Sequence, residues 1–404
     1  MTEKREIVSV TYVSRLQLIQ TITSVRSDDT ILSGKEMYVY VPEILVLEVM
    51  NMAYSSFHPG KEWLDTNGEV IQAHGFSVFY SEARKCFYWF GENKEKTKKG
   101  GTVWHWGVNL YRSVDLYNWT KVGLIIPPEP DDLHSPLHPT YCMDRPHILY
   151  CRKTGKYVAW LKIMGGEISQ FMCVMESDAL EGPYTYVNKI YKPLKMDTGD
   201  FALHEDETTG KAYIIFDRPH FEVICAELTD DYHEVTGEYS AHYTNMRPPF
   251  AREAPAIFEK DGRKYLFTSA VTGYYPNKSD VCVFDDYHGE WKSLGDPCIG
   301  DKTDTTFNSQ ITCVLKVPGT DQYIACADRW MLQWYIPKMS KSILNGTAKH
   351  FEDYRPDTEP KEAVPLPGIE QKHSENTYKS RYVWLPIEWE GEKPVIRWQK
   401  EWKI

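Results

Sequence analysis

Short segments in which apolar and polar residues alternate recur along most of the chain, and turns rich in Gly, Asp, Asn and Pro separate them. Alternation with a period of two gives a strand one face for the core, whereas an amphipathic helix repeats every 3.6 residues. Segments with the helical period are few. The pattern therefore predicts an all-β protein.

A longer unit is superimposed on this alternation. Each copy begins with a polar residue, here called the head residue, and continues with an apolar strand, a charged turn with Gly and a strand rich in Tyr or Trp. The five head residues are His74, Asp144, Asp200, Glu253 and Gln310. The outer strands of the first four copies also resemble one another, in 109–123, 172–187, 224–237 and 281–295.

The spacing of the copies indicates the architecture. Successive head residues lie 70, 56, 53 and 57 positions apart, and four strands in a repeat of about 55 residues match the size of a propeller blade. The sequence thus predicts a five-bladed β-propeller over residues 61–404. Residues 1–60 fit the repeat poorly and are predicted to form an N-terminal extension, with strands expected in 37–41 and 43–50.

Composition limits the classes of partner. A formal net charge of −11 argues against nucleic acid, because phosphate backbones require clustered Lys and Arg. No segment reaches the roughly 20 apolar residues of a membrane-spanning helix, so no membrane partner is expected. Nine scattered cysteines and the absence of a signal-peptide pattern favour reduced thiols and a cytoplasmic location, or secretion if the N-terminus is not native.

The head residues acquire a meaning from the predicted fold. A lone Glu253 is most simply a surface residue paired with Arg252, but the first strand of each propeller blade lines the central axis. All five head residues should then converge at one mouth of the channel. The basic run at 94–101, in contrast, is interpreted as a solvated loop tip without function.

Three of the converging residues are acidic, namely Asp144, Asp200 and Glu253. Glycoside hydrolysis needs a carboxylic acid that protonates the leaving oxygen and a second group that handles water or attacks carbon. Neighbouring carboxylates should raise the pKa of Glu253, which favours the proton donor role, while Arg145 and Arg252 should lower it.

Several motifs in order along the chain resemble glycoside hydrolase family 43, and within it the exo-β-1,3-galactanase branch. They are QAHG (72–75), YWFGE (88–92), GVNLYRSVDLYNW (107–119), DRP (144–146), TGD (198–200), REAP (252–255), TSAVTGYYPN (268–277), SQ.T (309–312), DRW (328–330) and YVWLP (382–386). The resemblance covers about residues 60 to 400 and implies an inverting hydrolase on a five-bladed propeller.

The resemblance also implies catalytic roles. Glu253 in REAP matches the general acid, and Asp144 in DRP matches the residue that adjusts its pKa, where the branch usually has Glu. The first-blade base of the family is replaced by His74. Gln310 in SQ.T matches the glutamine that holds the water in this branch, although an amide is a very poor base.

Sugar contacts follow from the same resemblance. The residues expected to bind substrate are Glu92, Asp200, Thr272, His74 and Trp330. Tyr274 and Trp330 could stack on galactose, or equally pack between blades. The remaining histidines lack metal-ligand spacing, so neither a metal nor a cofactor is predicted.

The sequence thus predicts an exo-acting hydrolase that releases galactose from β-1,3-galactan or related oligosaccharides. An α-L-arabinofuranosidase or β-xylosidase of the same fold also fits the pattern, because hydroxyl contacts set sugar choice. So do a noncatalytic carbohydrate-binding propeller and a phosphorolytic enzyme on a similar five-bladed scaffold. The sequence does not indicate an oligomeric state.

Overall fold

The computed structural model describes residues 53–165, 168–244, 246–332, 345–346, 348–349 and 376–404. Within these ranges the chain forms 21 strands and two short 3-10 segments, Pro193–Lys195 and Thr377–Lys379. No described helix is long and apolar enough to cross a membrane. The strands predicted in 37–41 and 43–50, and most of the predicted extension over 1–60, lie outside the described residues.

Blades I and II are four-stranded antiparallel sheets in which the strands follow chain order from the axis outward. Blade I consists of β1 (His74–Ser81), β2 (Cys86–Glu92), β3 (Val108–Ser113) and β4 (Thr120–Ile126). Blade II consists of β5 (Cys142–Cys151), β6 (Lys156–Gly165), β7 (Ile168–Ser177) and β8 (Thr185–Tyr191).

Blades III and IV repeat this arrangement. Blade III consists of β9 (Phe201–Glu205), β10 (Ala212–Arg218), β11 (Glu222–Leu228) and β12 (Val235–His242). Blade IV consists of β13 (Arg252–Lys260), β14 (Arg263–Ala270), β15 (Asp280–Phe284) and β16 (Lys292–Gly295). The five-bladed propeller predicted from the repeat is confirmed.

Blade V differs because a fifth, short strand joins its outer edge. β17 (Cys298–Ile299) pairs in parallel with the outermost long strand of the blade, whereas all its other pairings are antiparallel. The long strands are β18 (Gln310–Lys316), β19 (Tyr323–Arg329), β20 (Arg381–Glu390) and β21 (Lys393–Arg397).

Burial decreases from the axis outward. All seven residues of β2 are buried because neighbouring blades cover both of its faces, while β12 is largely exposed. The buried apolar side chains of the described residues form five clusters, each shared by two adjacent blades. The core is therefore a ring of five interfaces around the axis.

The ring closes where the two ends of the described chain meet. Phe57 and Trp402 exchange backbone hydrogen bonds of 2.9 and 3.2 Å, and their rings stack with centroids 4.4 Å apart. Both rings belong to the cluster between blades I and V. This contact, here called the seam, closes the ring of blades without a covalent bond, through backbone hydrogen bonds and side-chain packing.

Candidate active site

A repeated backbone feature sets the side-chain direction of three of the five head residues. The pairing of β1, β5 and β13 with the next strand shifts register directly after His74, Asp144 and Glu253. In each case the following residue, Gly75, Arg145 or Ala254, has a positive φ of 54°, 47° or 54°. Such bulges bend a strand and redirect a side chain, and they are common beside active sites.

This bulge explains why a carboxylate stands at the start of an apolar strand. Pro146 and Pro255 follow two positions after Asp144 and Glu253, where the interrupted pairing asks for no N–H donor. Position 75 must also lack a side chain, since a Cβ on Gly75 would come within 2.1 Å of the Glu92 carboxylate. The motifs QAHG, DRP and REAP therefore encode one local geometry.

Glu253 is partly exposed at the axial mouth of the propeller, which is here called the pocket. Nε2 of Gln310 lies 3.4 Å from its Oε1. Burial, and then the negative charge of Asp200, holds the pKa of Glu253 well above its ordinary value. Arg252 is turned to other acceptors, because its guanidinium donates to Oγ1 and to the carbonyl of Thr268. The protonated form of Glu253 is therefore favoured over the carboxylate.

The amide of Gln310 is held on both sides. Its Oε1 accepts from Arg145 Nη2 at 2.8 Å and from Trp330 Nε1 at 3.0 Å, and its Nε2 donates to Ser269 Oγ at 2.9 Å. Guanidinium and indole N–H groups can only donate, so these partners fix which end of the amide is oxygen. They also oppose a tautomer that carries a proton on Oε1.

Asp144 lies between two lysines. Its carboxylate oxygens are 3.9 Å from Lys94 Nζ and 3.6 Å from Lys162 Nζ, and Oδ1 accepts from Trp104 Nε1 at 3.0 Å. Burial opposes ionisation, but the charges of Lys162 and Lys94 outweigh it and lower the pKa of Asp144. Asp144 is consequently an anion at neutral pH.

The interpretation of the run 94–101 as a solvated loop tip was wrong for its first residue. Lys94 is fully buried, and its Nζ lies 2.6 Å from Glu92 Oε2 and donates to the carbonyl of Trp104. Lys96, Lys98 and Lys99 are exposed as predicted. The sequence of the run does not distinguish Lys94 from the other lysines. Its burial depends on the turn after β2, which directs this side chain into the protein.

Asp200, directly before β9, forms ion pairs with two cationic side chains. Arg145 Nε lies 2.7 Å from Oδ2 and Lys162 Nζ lies 2.9 Å from Oδ1. Although burial opposes it, this pairing lowers the pKa of Asp200 to about 2. Arg145 therefore connects Asp200 to Gln310 through a single side chain.

A second carboxyl, Asp217, lies behind this pair. Its backbone N–H donates to the carbonyl of Asp200, and a Cβ on Gly199 would meet its carboxylate at 2.2 Å. Burial, and then the charge of Asp200, raises the pKa of Asp217 to about 8. Its Oδ1 has no hydrogen-bond partner among the described residues.

Two further residues predicted to bind sugar have their polar atoms bound within the protein. His74 is fully buried; Nδ1 is 2.9 Å from Asp328 and Nε2 is 3.4 Å from the Tyr382 hydroxyl. Thr272 is buried, and its hydroxyl donates to the carbonyl of Tyr275 at 2.7 Å. These bonds position both side chains in the protein, and their predicted sugar contacts stay predictions.

Glu92 is also nearly inaccessible, although it belongs to the same network. Its Oε1 accepts from the backbone N–H of Arg145 at 2.9 Å. Burial raises the pKa of Glu92 to about 8 against the opposing charge of Lys94. It holds the bulge of blade II from blade I, and its predicted sugar contact stays a prediction.

Aromatic rings form an arc over one side of the pocket. The rings of Tyr274 and Trp330 are 5.0 Å apart, and Trp104 stacks on the other side of Tyr274 at 5.9 Å. Trp104 comes from blade I and Tyr274 from blade IV, so the arc links two blades that are not neighbours. Trp104 lies outside the repeat and was not singled out from the sequence.

The structure brings Asp144, Asp200, Glu253 and Gln310 into one network through Arg145 and Lys162. It adds Lys94, Lys162, Asp217 and Trp104 to the residues predicted from sequence. No group of three His, Cys, Asp or Glu is placed to hold a metal ion in the part of the chain that is described. Within the network Glu253 can donate a proton, and fixed donors hold the amide of Gln310 in one orientation.

A five-bladed propeller that gathers a protonated carboxyl, ionised carboxylates and an oriented amide at its axial mouth has the equipment of a glycoside hydrolase. A profile of the glycosyl hydrolases family 43 matches residues 74–330, from the first head residue to the end of DRW. The chain therefore belongs to glycoside hydrolase family 43 and is a glycoside hydrolase. No curated protein matches it.

Solved structures with a similar fold include two family 43 β-1,3-galactosidases. One, named BT0265, is 29% identical with a TM-score of 0.68, and the match covers 86% of this chain and 63% of that one. The other, BT3683 with galactodeoxynojirimycin, is 28% identical with a TM-score of 0.67, covering 86% and 100%.

An exo-β-1,3-galactanase from Phanerochaete chrysosporium with β-1,3-galactotriose is similar in fold. It is 23% identical with a TM-score of 0.67, and the match covers 87% of this chain and 68% of that one. At this identity the similarity shows the architecture alone.

Proposed function

We propose that the protein is an exo-acting, inverting hydrolase that removes terminal galactose from β-1,3-galactan or related oligosaccharides. The observation that carries the proposal is Glu253, a carboxyl with a strongly raised pKa at the mouth of the propeller. The names of two similar proteins, both β-1,3-galactosidases, support galactose as the sugar. Exo action is supported by the arc of Trp104, Tyr274 and Trp330, which covers one side of the pocket.

Glu253 would protonate the glycosidic oxygen. Its protonated form is favoured because burial and the negative charge of Asp200 disfavour the carboxylate. Asp144 and Asp200 stay ionised, since each lies beside cationic groups. Two ionised carboxylates can stabilise the positive charge that develops on the sugar ring in the transition state.

Gln310 would orient the attacking water. An amide cannot act as a nucleophile that forms a stable glycosyl ester, so the arrangement favours direct attack by water and inversion. An amide is also a poor base, and the ionised carboxylates of Asp144 and Asp200 are the acceptors that the pocket offers for the proton of the water.

The mechanism requires movement. Gln310 Nε2 lies 3.4 Å from Glu253 Oε1, a hydrogen-bond distance that leaves no room for a sugar or a water between the two side chains. The two side chains must separate when the sugar and the water enter. Ser269, Trp330 and Arg145 would then keep the amide in place as the Glu253 contact breaks.

The test is hydrolysis of β-1,3-galactobiose, followed by NMR of the product anomers. We expect galactose with inverted configuration, and Glu253→Gln should lower kcat about 10²–10⁴-fold while galactose binding by calorimetry is retained. Glu238→Gln, on the exposed outer strand of blade III, is the matched control and should keep full activity.

Three further results would assign another function. Release of arabinose or xylose from a panel of nitrophenyl glycosides would change the sugar, and sugar binding without any released monosaccharide would indicate a binding protein. Release that depends on added phosphate would indicate phosphorolysis. Unimpaired turnover by Glu253→Gln would contradict the assignment of the acid.

A further inference from the structure

Gln310 is placed differently from the head residues His74, Asp144 and Glu253. The residue after it, Ile311, lacks the positive φ that follows those three. The unusual backbone instead precedes Gln310, where residues 306–308 (Thr, Phe and Asn) have φ of 54°, 56° and 57°. Three consecutive residues with side chains in the left-handed region form a strained turn that must be held from outside.

Arg329 helps to hold this left-handed turn, in which the N–H of Phe307 also donates to Asp301. Its Nε donates to the carbonyl of Asn308 at 3.1 Å, and its Nη2 donates to the carbonyl of Phe307 at 2.9 Å. Among the described residues Arg329 forms no ion pair, so its guanidinium is free of carboxylates and binds these two carbonyls. Asn308 lines the same pocket as Gln310, and a change in the turn would therefore displace the amide two residues later.

Both ends of the described chain in turn hold Arg329. A Cβ on Gly60 would lie 2.2 Å from its Nη1, which shows that the backbone of the N-terminal segment covers the guanidinium. On the C-terminal side, the guanidinium carbon lies 5.5 Å from the ring centre of Trp398. The position of Arg329 therefore depends on closure of the propeller near the seam.

The residue after Arg329 completes the arrangement. Trp330 donates from Nε1 to Gln310 Oε1 at 3.0 Å, while Arg329 supports the backbone that leads into Gln310. Two adjacent residues of DRW thus act on Gln310, Trp330 through its side chain and Arg329 through the main chain two and three residues before it.

We propose that Arg329 is a positioning residue for Gln310, which couples closure of the propeller to the placement of the group that orients water. The inference rests on the proposed role of Gln310 in hydrolysis. Arg329 itself contacts neither the sugar nor the reacting atoms in this proposal.

Arg329→Met tests the proposal because it keeps the aliphatic stem and removes the donors. With β-1,3-galactobiose we expect kcat to fall about 10–100-fold through misplacement of Gln310, with KM changed less than about threefold. Arg329→Lys, which retains one charged donor, should recover part of kcat.

The matched control is Arg381→Met. Arg381 is the cross-strand partner of Arg329 and also lies near the seam, but it donates to the carbonyls of Lys379 and Ser380 and pairs with Glu62. It should lose similar stability and keep kcat. Equal losses of kcat in the two variants, or a rise in KM alone for Arg329→Met, would overturn the proposal.

Coupling to Gln310 separates positioning from general destabilisation. In a Gln310→Ala background, Arg329→Met should change kcat by less than about twofold, because the group that it positions has been removed. A full additional loss in that background would show that Arg329 acts elsewhere and would refute the inference.

A structural measurement makes the test independent of activity. Crystal structures of the wild type and Arg329→Met should show that residues 306–308 leave the left-handed region and that Gln310 Oε1 moves away from Trp330. This comparison decides the positioning role even if the wild type cleaves no galactoside. In that case only the proposed function fails. An unchanged turn and amide would overturn the role.

If Arg329→Met does not fold, Trp398→Ala replaces it, because Trp398 is 38% exposed and its loss should be tolerated. The Trp398 ring lies beside both the guanidinium and the Phe307 ring, at 5.5 and 5.8 Å. Removing it should lower kcat about threefold, the equivalent of a weak cation–π contact. Unaltered kcat in this folded variant would overturn the proposal.

Discussion

Arg145 bridges Asp200 and Gln310: its Nε lies 2.7 Å from the carboxylate, and its Nη2 donates to the amide oxygen at 2.8 Å. The guanidinium can reach both because its own backbone lies in a bulge, with φ of 47°. A strained residue thus fixes the charge of one neighbour and the orientation of the other. Substitutions in this network should change protonation as well as position.

Gln310→Glu should shift the pH profile. The new carboxylate would accept from Arg145, Trp330 and Ser269, so the fold should tolerate it. Its charge next to Glu253 should raise the pKa of Glu253 further, and the proton of the acid would then persist to higher pH. We expect the basic limb of kcat/KM to move upward by about 1 pH unit or more.

The control for that experiment is Gln310→Met, which removes the amide without adding charge. It should lower kcat and leave the basic limb where the wild type has it. A basic limb that is the same in Gln310→Glu and the wild type would show that Glu253 does not set it.

Tyr274→Ala should weaken binding more than catalysis. Its ring lies between Trp104 and Trp330, at 5.9 and 5.0 Å, and closes the arc over the pocket. Loss of aromatic contact predicts a rise of about 3–10-fold in KM for β-1,3-galactobiose. Tyr274→Phe keeps the ring and should keep KM, so a similar rise in both variants would contradict a role of the ring.

Asp217→Asn should stabilise the protein at alkaline pH. The pKa of Asp217, about 8, exceeds the ordinary carboxyl value. Between the two values the folded state keeps a proton that the unfolded state has lost, so this group reduces stability as pH rises from about 4 to 8. The amide does not titrate and escapes this penalty.

Denaturant unfolding of the wild type and Asp217→Asn at pH 4 and pH 8 measures the effect. The variant should be more stable by about 1–3 kcal/mol at pH 8 and differ little at pH 4. A difference that does not depend on pH would mean that Asp217 titrates normally in the folded protein.

Trp402→Ala should destabilise the ring closure. The side chain is 6% exposed, stacks on Phe57 and donates from Nε1 to the carbonyl of Trp384 at 2.9 Å. Truncating a buried Trp predicts a loss of about 3–5 kcal/mol in the free energy of unfolding. Trp398→Ala, a partly exposed Trp of the same C-terminal segment, should cost less than about 1 kcal/mol.

Much of the fold could be predicted because a propeller repeats a local pattern. The predicted units at 74–92 and 253–270 coincide with β1–β2 and β13–β14, since alternation and Gly turns are local properties of the chain. Blade V was recognised only by its first two strands. Its outer strands, β20 and β21, follow a long insertion, and β17 comes from the preceding connection, so their spacing departs from the repeat.

The candidate site was predicted in outline and corrected in detail. The convergence of Asp144, Glu253 and Gln310 follows from equivalent positions in repeated strands, which a sequence displays. Burial of His74 and Thr272, and the inward turn of Lys94, depend on contacts that the folded chain makes around each side chain. No local pattern reports those contacts.

The sequence alone determined the repeat, the five polar head residues and the motifs that surround them, because each depends on neighbours within a few positions. Tertiary structure decided which carboxyl keeps its proton and which stays ionised, because charge depends on the distance to groups from other blades. It also decided the orientation of Gln310. That amide is held by Arg145, Ser269 and Trp330, which come from three separate segments of the chain.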